Sequence, residues 1–145
     1  MQKLALDVGK ARIGVAISQG SLALPHSVIS NGPKALEEVC ELVSMTTPVA
    51  VYVGLPLSLS GGFTPSTQMA IDFAKSLASL IDSEIRFIDE RLTSKSASMQ
   101  LRNAGKNSRE QKSIVDASAA AIILEFALQS ERDGLAGKTM EELDA

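Results

Sequence analysis

The chain has 145 residues, of which 45% are hydrophobic and 21% charged, and its formal net charge is −3. These values predict one globular domain large enough to bury a core, and no apolar run approaches the roughly 18 residues of a membrane span. Cys40 and His26 are the only cysteine and histidine, which excludes an internal disulfide and a zinc site of His and Cys ligands. With no secretion-signal pattern, a cytoplasmic location is expected.

The first thirty residues predict three strands. Residues 4–8 and 13–17 are short apolar runs rich in β-branched side chains, and Gly9 lies between them. This pattern predicts a β-hairpin. Residues 22–29 predict a third strand, and Pro25 within it favours a position at the sheet edge or at a bulge.

The rest of the chain predicts alternating helices and strands. The predicted elements are a helix opening at 31–33, a buried strand at 49–53, a helix over 66–81, a strand at 84–89 and helices over 93–104 and 109–130. This order predicts an α/β domain over residues 1–130, in which an antiparallel hairpin or meander and then parallel strands form a mixed sheet with helices on both faces. Residues 131–145 are predicted to be a flexible tail, with a short helix near 139–143.

Acidic residues occur at three places where local structure disfavours them. Asp7 ends the first apolar run, Asp89 and Glu90 follow a strand, and Asp116 lies between Val115 and Ala117 in an apolar helix. Burying an unpaired charge is strongly unfavourable, so a shared cation is a natural explanation. Oxygen ligands suit Mg²⁺ or Mn²⁺. The pattern indicates a metal-dependent nuclease, with Asp7, Glu90 and Asp116 as catalytic ligands and Asp89 as an alternative ligand.

Each acid also has a purely structural interpretation. Asp7 could cap the turn that follows it, and Asp89 or Glu90 could form an ion pair with Arg91 or Arg12. Asp116 could be a buried acid with one hydrogen-bond partner.

In the nuclease interpretation, two cations held by carboxylates activate water and stabilise the leaving oxygen of a phosphodiester. No protein nucleophile is needed, which fits a chain with one histidine and one cysteine.

A basic segment offers contacts to a phosphate backbone. This basic segment runs from Arg91 to Lys112 and contains six basic residues and one acid, whereas the last 21 residues contain six acids and two bases. The alternative is a solvated helical face. The basic residues are Arg91, Lys95, Arg102, Lys106, Arg109 and Lys112. Lys10 or Arg12 could contact the scissile phosphate.

Four motifs resemble the YqgF family of Holliday-junction-resolvase-like proteins, also described as pre-16S rRNA nucleases. The opening motif is Asp7-Val-Gly-Lys-Ala-Arg-Ile-Gly-Val-Ala16, and the second is Val53-Gly-Leu-Pro56 with Gly61-Gly62. Asp89-Glu-Arg-Leu-Thr93 resembles the third motif. Gly105, Lys112 and the segment from Val115 to Leu124 resemble the fourth, so the match runs from about Leu4 to Leu128.

This resemblance implies an RNase H-like fold with a five-stranded mixed sheet, and a cytoplasmic enzyme. It implies 5′-end maturation of 16S rRNA, with Holliday-junction cleavage as a further activity, so RNA or branched DNA would be the partner. The family's catalytic acids correspond to Asp7, Glu90 and Asp116. The loop from Ser58 to Thr67 matches less well and offers no basic residue.

Three other interpretations remain open from the sequence. An ATP-binding protein of the actin and sugar-kinase type also begins with Asp-x-Gly and a hairpin, but it needs a second related domain, for which 145 residues leave no room. A non-catalytic RNA-binding or ribosome-assembly factor could retain the acids. The largely apolar last helix could also serve a homodimer interface, together with nuclease activity.

Overall fold

The computed structural model describes residues 1–93, 108–134 and 137–144, and of residues 108–117 and 144 it describes the backbone alone. The strands are β1 (Lys3–Val8), β2 (Arg12–Gln19), β3 (Leu22–Ser30), β4 (Ala50–Leu55) and β5 (Glu84–Asp89). The helices are α1 (Ala35–Thr46), α2 (Pro65–Ala78), α3 (Ser108–Arg132) and α4 (Met140–Asp144), and Glu90–Leu92 forms a 3-10 turn.

The five strands form one mixed sheet in the order β3-β2-β1-β4-β5. β1, β2 and β3 are successive antiparallel neighbours, whereas β4 is parallel to both β1 and β5. The predicted α/β class and mixed sheet are confirmed. Because β1 is the central strand, any polar side chain near its end lies in the middle of the molecule.

Alternating side chains of the strands pack against two different helical layers. On one face, Leu4 and Leu6 of β1 belong to a core cluster with residues of α1 and α2. On the other face, Ala5 of β1 belongs to a cluster with Ala120 and Ile123 of α3. Asp7 follows Ala5 by two residues in the same strand, so it faces the α3 side.

Helix α3 runs antiparallel to β1. Near the C-terminal end of α3, Glu131 forms an ion pair with Lys3 at 2.5 Å. Lys3 is the first residue of β1. The N-terminal half of α3 therefore lies toward the carboxyl end of β1, where Asp7 is found. The small residues Ala5, Ala16 and Ala120 are all fully buried between helix and sheet, which permits close packing of the two.

Helix α1 begins later than the sequence predicts. The expected start was at residues 31–33, but the helix begins at Ala35. Asn31 is engaged elsewhere: its side-chain amide donates to the carbonyl of Gly9 at 2.7 Å, and its backbone N–H donates to the carbonyl of Ala11 at 2.9 Å. These bonds hold Asn31 against the β1–β2 turn rather than in the helix. Of the predicted helix over 93–104, residues 94–104 lie outside the described residues.

The described part of the C-terminal segment lies against β5, in contrast to the expected flexible tail. Lys138 exchanges two backbone hydrogen bonds with Phe87, at 2.7 and 3.1 Å, and the Arg86 guanidinium donates to the carbonyl of Gly137 at 2.6 Å. Met140 and Leu143 pack against the core. The segment thus pairs with part of an edge strand that would otherwise expose its hydrogen-bonding groups.

Gly137→Ala tests this docking. A Cβ at position 137 would lie 2.7 Å from the carbonyl oxygen of Phe87 and 2.9 Å from Ile88 Cδ1, so the segment must shift. We expect a loss of about 1–2 kcal/mol in the free energy of unfolding, measured by urea denaturation. Gly32→Ala is the control, because a Cβ there meets nothing within 4 Å. Equal unfolding midpoints for the two variants would contradict a stabilising role of this segment.

Candidate active site

Asp7 lies near the carboxyl end of the central strand, between two glycines. In the antiparallel pair it lies opposite Gly14 of β2. In the parallel pair Leu6 is the partner of Val53, so the next residue of β4, Gly54, lies beside Asp7. Neither neighbour has a side chain, so both leave space around the carboxylate on the α3 side of the sheet.

Glu90 brings a second carboxyl group into this space. It follows directly after β5, as the first residue of the 3-10 turn. Its side chain reaches over Gly54: a Cβ built there would lie 2.5 Å from Glu90 Oε1 and 2.6 Å from Ile123 Cδ1. Gly54 is therefore required for Glu90 and α3 to occupy their positions, and any larger residue would displace one of them.

The two carboxyl groups share a hydrogen bond in a buried setting. Burial, the hydrogen bond to Asp7 and the negative charges of Asp7 and Asp89 together raise the pKa of Glu90 to about 9. Burial also raises the pKa of Asp7, although the hydrogen bond from Glu90 acts the opposite way. Near neutral pH the Glu90 hydroxyl thus donates to the Asp7 carboxylate, and one proton compensates one of two charges that repel each other.

Asp89 is paired differently from its neighbour. Its carboxylate accepts from Arg91 Nε at 3.0 Å and from the second guanidinium nitrogen at 2.6 Å, and it also accepts the Arg91 backbone N–H at 2.9 Å. These hydrogen bonds and the charge of Arg91 hold the pKa of Asp89 below its usual value. The structural interpretation that the sequence left open for one member of the Asp89-Glu90 pair therefore applies to Asp89.

The turn after Asp7 has a fixed shape. The Gly9 N–H donates to the Arg12 carbonyl at 2.8 Å, and a Cβ at Gly9 would lie 2.7 Å from that oxygen. Asn31 holds the same turn through the carbonyl of Gly9. Lys10 is exposed at this turn and Arg12 is half-buried at the start of β2, so both lie within a few residues of Asp7.

Asp116 lies in α3, and its side chain is outside the described part of the structure. Its position precedes Ala120 by one helical turn and Ile123 by two, and both of these residues pack on the Asp7 face of the sheet. The helix thus lies on the same face as Asp7, as a three-acid site requires. At about 1.5 Å per residue, position 116 lies about 10 Å beyond Ile123, toward the carboxyl ends of the strands.

The predicted basic residues are described only in part. Arg91 pairs with Asp89 and also donates to the carbonyl of Leu59 at 3.3 Å. Lys95, Arg102 and Lys106 lie outside the described residues, and Arg109 and Lys112 lie in α3 with undescribed side chains.

Sequence reasoning missed the residues that shape the site rather than carry charge. Gly54 and Gly14 make room for the carboxyl groups, and Asn31 holds the turn beside Asp7. The signal for Gly54 was available: a glycine inside an otherwise apolar strand often marks a close approach of another group. For Asn31 the sequence offered no signal, because its partner Gly9 is 22 residues away.

The residues present fit a divalent cation. Two carboxylates meet in a recess that a single Cβ would fill, and at neutral pH they need a positive charge to be ionised together. Oxygen donors of this kind suit Mg²⁺ or Mn²⁺. Within residues 1–93, 118–134 and 137–143, whose side chains are described, no group of three or more His, Cys, Asp or Glu residues could hold a metal ion.

The mixed five-stranded sheet, with Asp7 on its central strand and helices on both faces, has the architecture of the RNase H-like fold. Two solved structures of Thermus thermophilus RuvC have the same fold. The RuvC in complex with a Holliday junction substrate aligns with a TM-score of 0.62 at 17% identity, over 94% of this chain and 98% of that one. The second aligns with a TM-score of 0.58 at 16% identity, over 94% and 99% of the two chains.

Sequence comparison assigns the family. The family model RuvX, described as Holliday junction resolvase, matches residues 1–130, and the chain belongs to this family. A protein of Leifsonia xyli named as a candidate pre-16S rRNA nuclease is 41% identical over 134 residues, covering 90% of this chain and 86% of that protein. A Clavibacter michiganensis protein of the same name is 43% identical over 135 residues, covering 90% and 84%. The predicted family and the RNase H-like fold are confirmed.

None of the described helices combines the length and the apolar character needed to cross a bilayer.

Proposed function

We propose that this protein is a metal-dependent nuclease that hydrolyses phosphodiester bonds in a site formed by Asp7, Glu90 and Asp116. The observation that carries the proposal is the Asp7–Glu90 pair, two half-buried carboxyl groups that share a hydrogen bond beside Gly14 and Gly54. A structural acid pair of this kind would be costly, whereas two carboxylates that bind a cation have a reason to be buried together. The cation is Mg²⁺ or Mn²⁺.

The chain's own residues prepare the site for substrate. Asp7 and Glu90 would hold the cation on the α3 side of the sheet, and the one proton between them would be released when it binds. Asp116, from the helix that covers the same face, adds the third carboxylate. Gly9 and Asn31 hold the turn beside Asp7, so that Lys10 and Arg12 lie near an incoming phosphate. When bound, divalent cations supply a Lewis acid for the phosphate oxygens and activate water for attack, in a two-metal arrangement.

Asp89 is the less suitable ligand in this arrangement. Its carboxylate already accepts hydrogen bonds from Arg91, and a lowered pKa shows that this pairing satisfies its charge. Glu90 instead shares a hydrogen bond with Asp7, and the negative charges of Asp7 and Asp89 raise its pKa. We therefore assign Glu90 to the cation and Asp89 to the positioning of the 3-10 turn that carries Glu90.

We propose RNA as the natural substrate, in the 5′-end maturation of pre-16S rRNA. The curated relatives with 41% and 43% identity carry pre-16S rRNA nuclease in their names. Holliday-junction DNA is the second candidate, because the family model is described as a resolvase. The strand would be held by phosphate contacts from the basic segment, whose members are Arg91, Lys95, Arg102, Lys106, Arg109 and Lys112. A cytoplasmic enzyme fits this role, and a homodimer through α3 would be compatible with it.

The test compares two labelled substrates, a single-stranded RNA and a four-way DNA junction, each with Mg²⁺ or Mn²⁺. We expect the wild-type protein to cleave RNA and Asp7→Asn to lose cleavage. Asp72→Asn is the matched control, because Asp72 is an exposed carboxylate on α2, and α2 packs on the opposite face of the sheet.

Each result has a defined meaning. Cleavage of RNA that Asp7→Asn abolishes and Asp72→Asn retains supports the ribonuclease proposal. Cleavage of the DNA junction alone would show that the protein is a resolvase and not a ribonuclease. If folded wild-type protein binds RNA but cleaves neither substrate with either cation, the nuclease proposal fails and the non-catalytic assembly factor takes its place.

A further inference from the structure

Three of the five aromatic residues of this chain line one cavity. The sequence contains no tryptophan, one tyrosine and four phenylalanines, and Phe63, Phe87 and Phe126 all lie in the wall of a cavity of about 440 Å³ at the edge of β5. We call it the aromatic cavity. Phe87 is buried and Phe126 half-buried, but Phe63 leaves 57% of its surface exposed. An exposed aromatic ring beside a nuclease site offers a surface for stacking.

Backbone hydrogen bonds hold the loop that carries Phe63. Phe63 and Leu57 form an antiparallel bridge, and within the loop the Ser58 N–H donates to the Gly62 carbonyl at 2.9 Å. The Gly61 N–H donates to the Ser58 carbonyl at 2.8 Å. These hydrogen bonds lie within the loop itself, so Phe63 is presented on an ordered surface. A ligand that stacks on it does not have to order the loop first.

Arg91 and Asp89 join the aromatic cavity to the chain segment that carries Glu90. Arg91, which lines it, donates to the Leu59 carbonyl of the Phe63 loop and pairs with Asp89. Asp89 also lines the cavity, and the next residue is Glu90. The Cα atoms of Asp89 and Glu90 are about 3.8 Å apart, as in any consecutive pair. Asp89 in the cavity wall is therefore one residue from Glu90, the proposed cation ligand.

The C-terminal segment forms the opposite wall. Gly137, Lys138 and Glu142 line the cavity, and the pairing of Lys138 with Phe87 holds them there. The cavity therefore combines apolar aromatic walls with two cationic and two anionic groups, which belong to Lys138, Arg91, Asp89 and Glu142. A flat heterocycle with donors and acceptors on its edge fits this chemistry better than a phosphate, because the charged groups are balanced in sign.

We propose that the aromatic cavity holds one unstacked nucleobase of the substrate strand, next to the phosphodiester bond at Asp7 and Glu90. This inference rests on the proposed nuclease function and specifies its substrate: a strand with an unpaired nucleotide beside the cut. Bases stack on aromatic side chains with little dependence on sequence, because every base has a π-face. Unpaired bases are also the usual target of RNA recognition.

The experiment measures base binding separately from cleavage. Single-stranded RNA oligonucleotides, each carrying one 2-aminopurine at a different position, are titrated with Asp7→Asn protein in Mg²⁺. We expect the fluorescence of 2-aminopurine at one position of the RNA to change when the Asp7→Asn protein binds. The Asp7→Asn, Phe63→Ala double variant should not produce this change. The dissociation constant should rise about tenfold, as for the loss of one stacked base. Phe63→Tyr should restore both signals, because it retains the ring.

Leu59→Ala is the control for changes in the loop. Its side chain is 97% exposed on the same loop and does not line the cavity. An abasic nucleotide at the responsive position should weaken binding to the Phe63 protein but not weaken further the binding to Phe63→Ala. Equal affinities of the Phe63→Ala and Leu59→Ala proteins, or no position whose fluorescence depends on Phe63, would overturn the proposal.

The two proposals fail differently. If wild-type protein cleaves the RNA and Phe63→Ala changes neither fluorescence nor affinity, the cavity proposal is wrong and the nuclease proposal stands. If no cleavage occurs but the Phe63-dependent fluorescence is present, the chain binds an unpaired base without cutting. Thermal unfolding of each variant checks that the exposed Phe63 can be replaced without loss of the fold.

Discussion

Glu90→Gln is expected to abolish cleavage and at the same time to stabilise the metal-free protein at pH 8. Glutamine retains a side-chain group that donates to Asp7, but it cannot become a carboxylate ligand. The loss of one cation ligand should reduce the rate by about a thousandfold or more, since metal binding supplies several kcal/mol of transition-state stabilisation. The gain in stability follows from the buried acid pair.

The sign of the stability effect comes from proton uptake. The pKa of Glu90 is about 9 in the folded protein and 4.5 as the reference value. Between these values the folded state holds a proton that the unfolded state has lost, so the free energy of unfolding falls as pH rises, by about 1.4 kcal/mol per pH unit. Glutamine has no such proton. The difference between variant and wild type should therefore grow from pH 5 to pH 8 and vanish below about pH 4.

Urea unfolding in EDTA at several pH values measures this difference, and cleavage in Mg²⁺ measures the catalytic loss. At pH 8 we expect Glu90→Gln to be more stable by on the order of 2–4 kcal/mol. Asp72→Asn is again the control and should show no trend of this kind, because Asp72 is exposed. A pH-independent difference for Glu90→Gln would show that the carboxyl pair does not share a proton, and retained cleavage would remove Glu90 from the cation site.

Gly54→Ala is the second substitution with a large expected effect. Its methyl group would lie 2.5 Å from Glu90 Oε1 and 2.6 Å from Ile123 Cδ1. Ile123 is 1% exposed in the core between α3 and the sheet, so it has little room to move, and the Glu90 carboxyl group must turn away. We expect cleavage to fall by about a hundredfold or more and the free energy of unfolding by about 1–3 kcal/mol.

Gly32→Ala separates this effect from the general cost of replacing glycine, since a Cβ at position 32 meets nothing within 4 Å. The pH dependence gives a second readout. If Gly54→Ala separates the two acids, the slope of stability with pH should become shallower than in the wild type. Gly54→Ala protein with wild-type cleavage and the wild-type slope would show that the recess beside Asp7 can be filled without consequence.

The elements of this fold were accessible from the sequence because their signals are local. β5 occurs at the predicted residues, and the last helix was predicted over 109–130 and spans Ser108–Arg132. In each case the apolar period or the capping residue lies within the element itself. Acids at the ends of apolar runs likewise marked Asp7 and Glu90 before their proximity was known.

The structure alone shows that the two adjacent acids have different partners. Asp89 is the last residue of β5 and Glu90 is the first residue of the 3-10 turn, so their side chains point to different surroundings. Asp89 meets Arg91, whereas Glu90 meets Asp7 across Gly54. The docking of residues 137–138 on β5 was also missed, since the partners are 51 residues apart and carry no matching local pattern.

By itself, the sequence determined the order of the described strands and helices and the family, because periodicity and motif spacing are properties of short segments. Only the tertiary structure decided that Asp7 and Glu90 share a hydrogen bond, that Gly14 and Gly54 flank Asp7, and that three phenylalanines from separate elements line one cavity. These features depend on sheet register and helix packing, which bring together residues far apart in the chain.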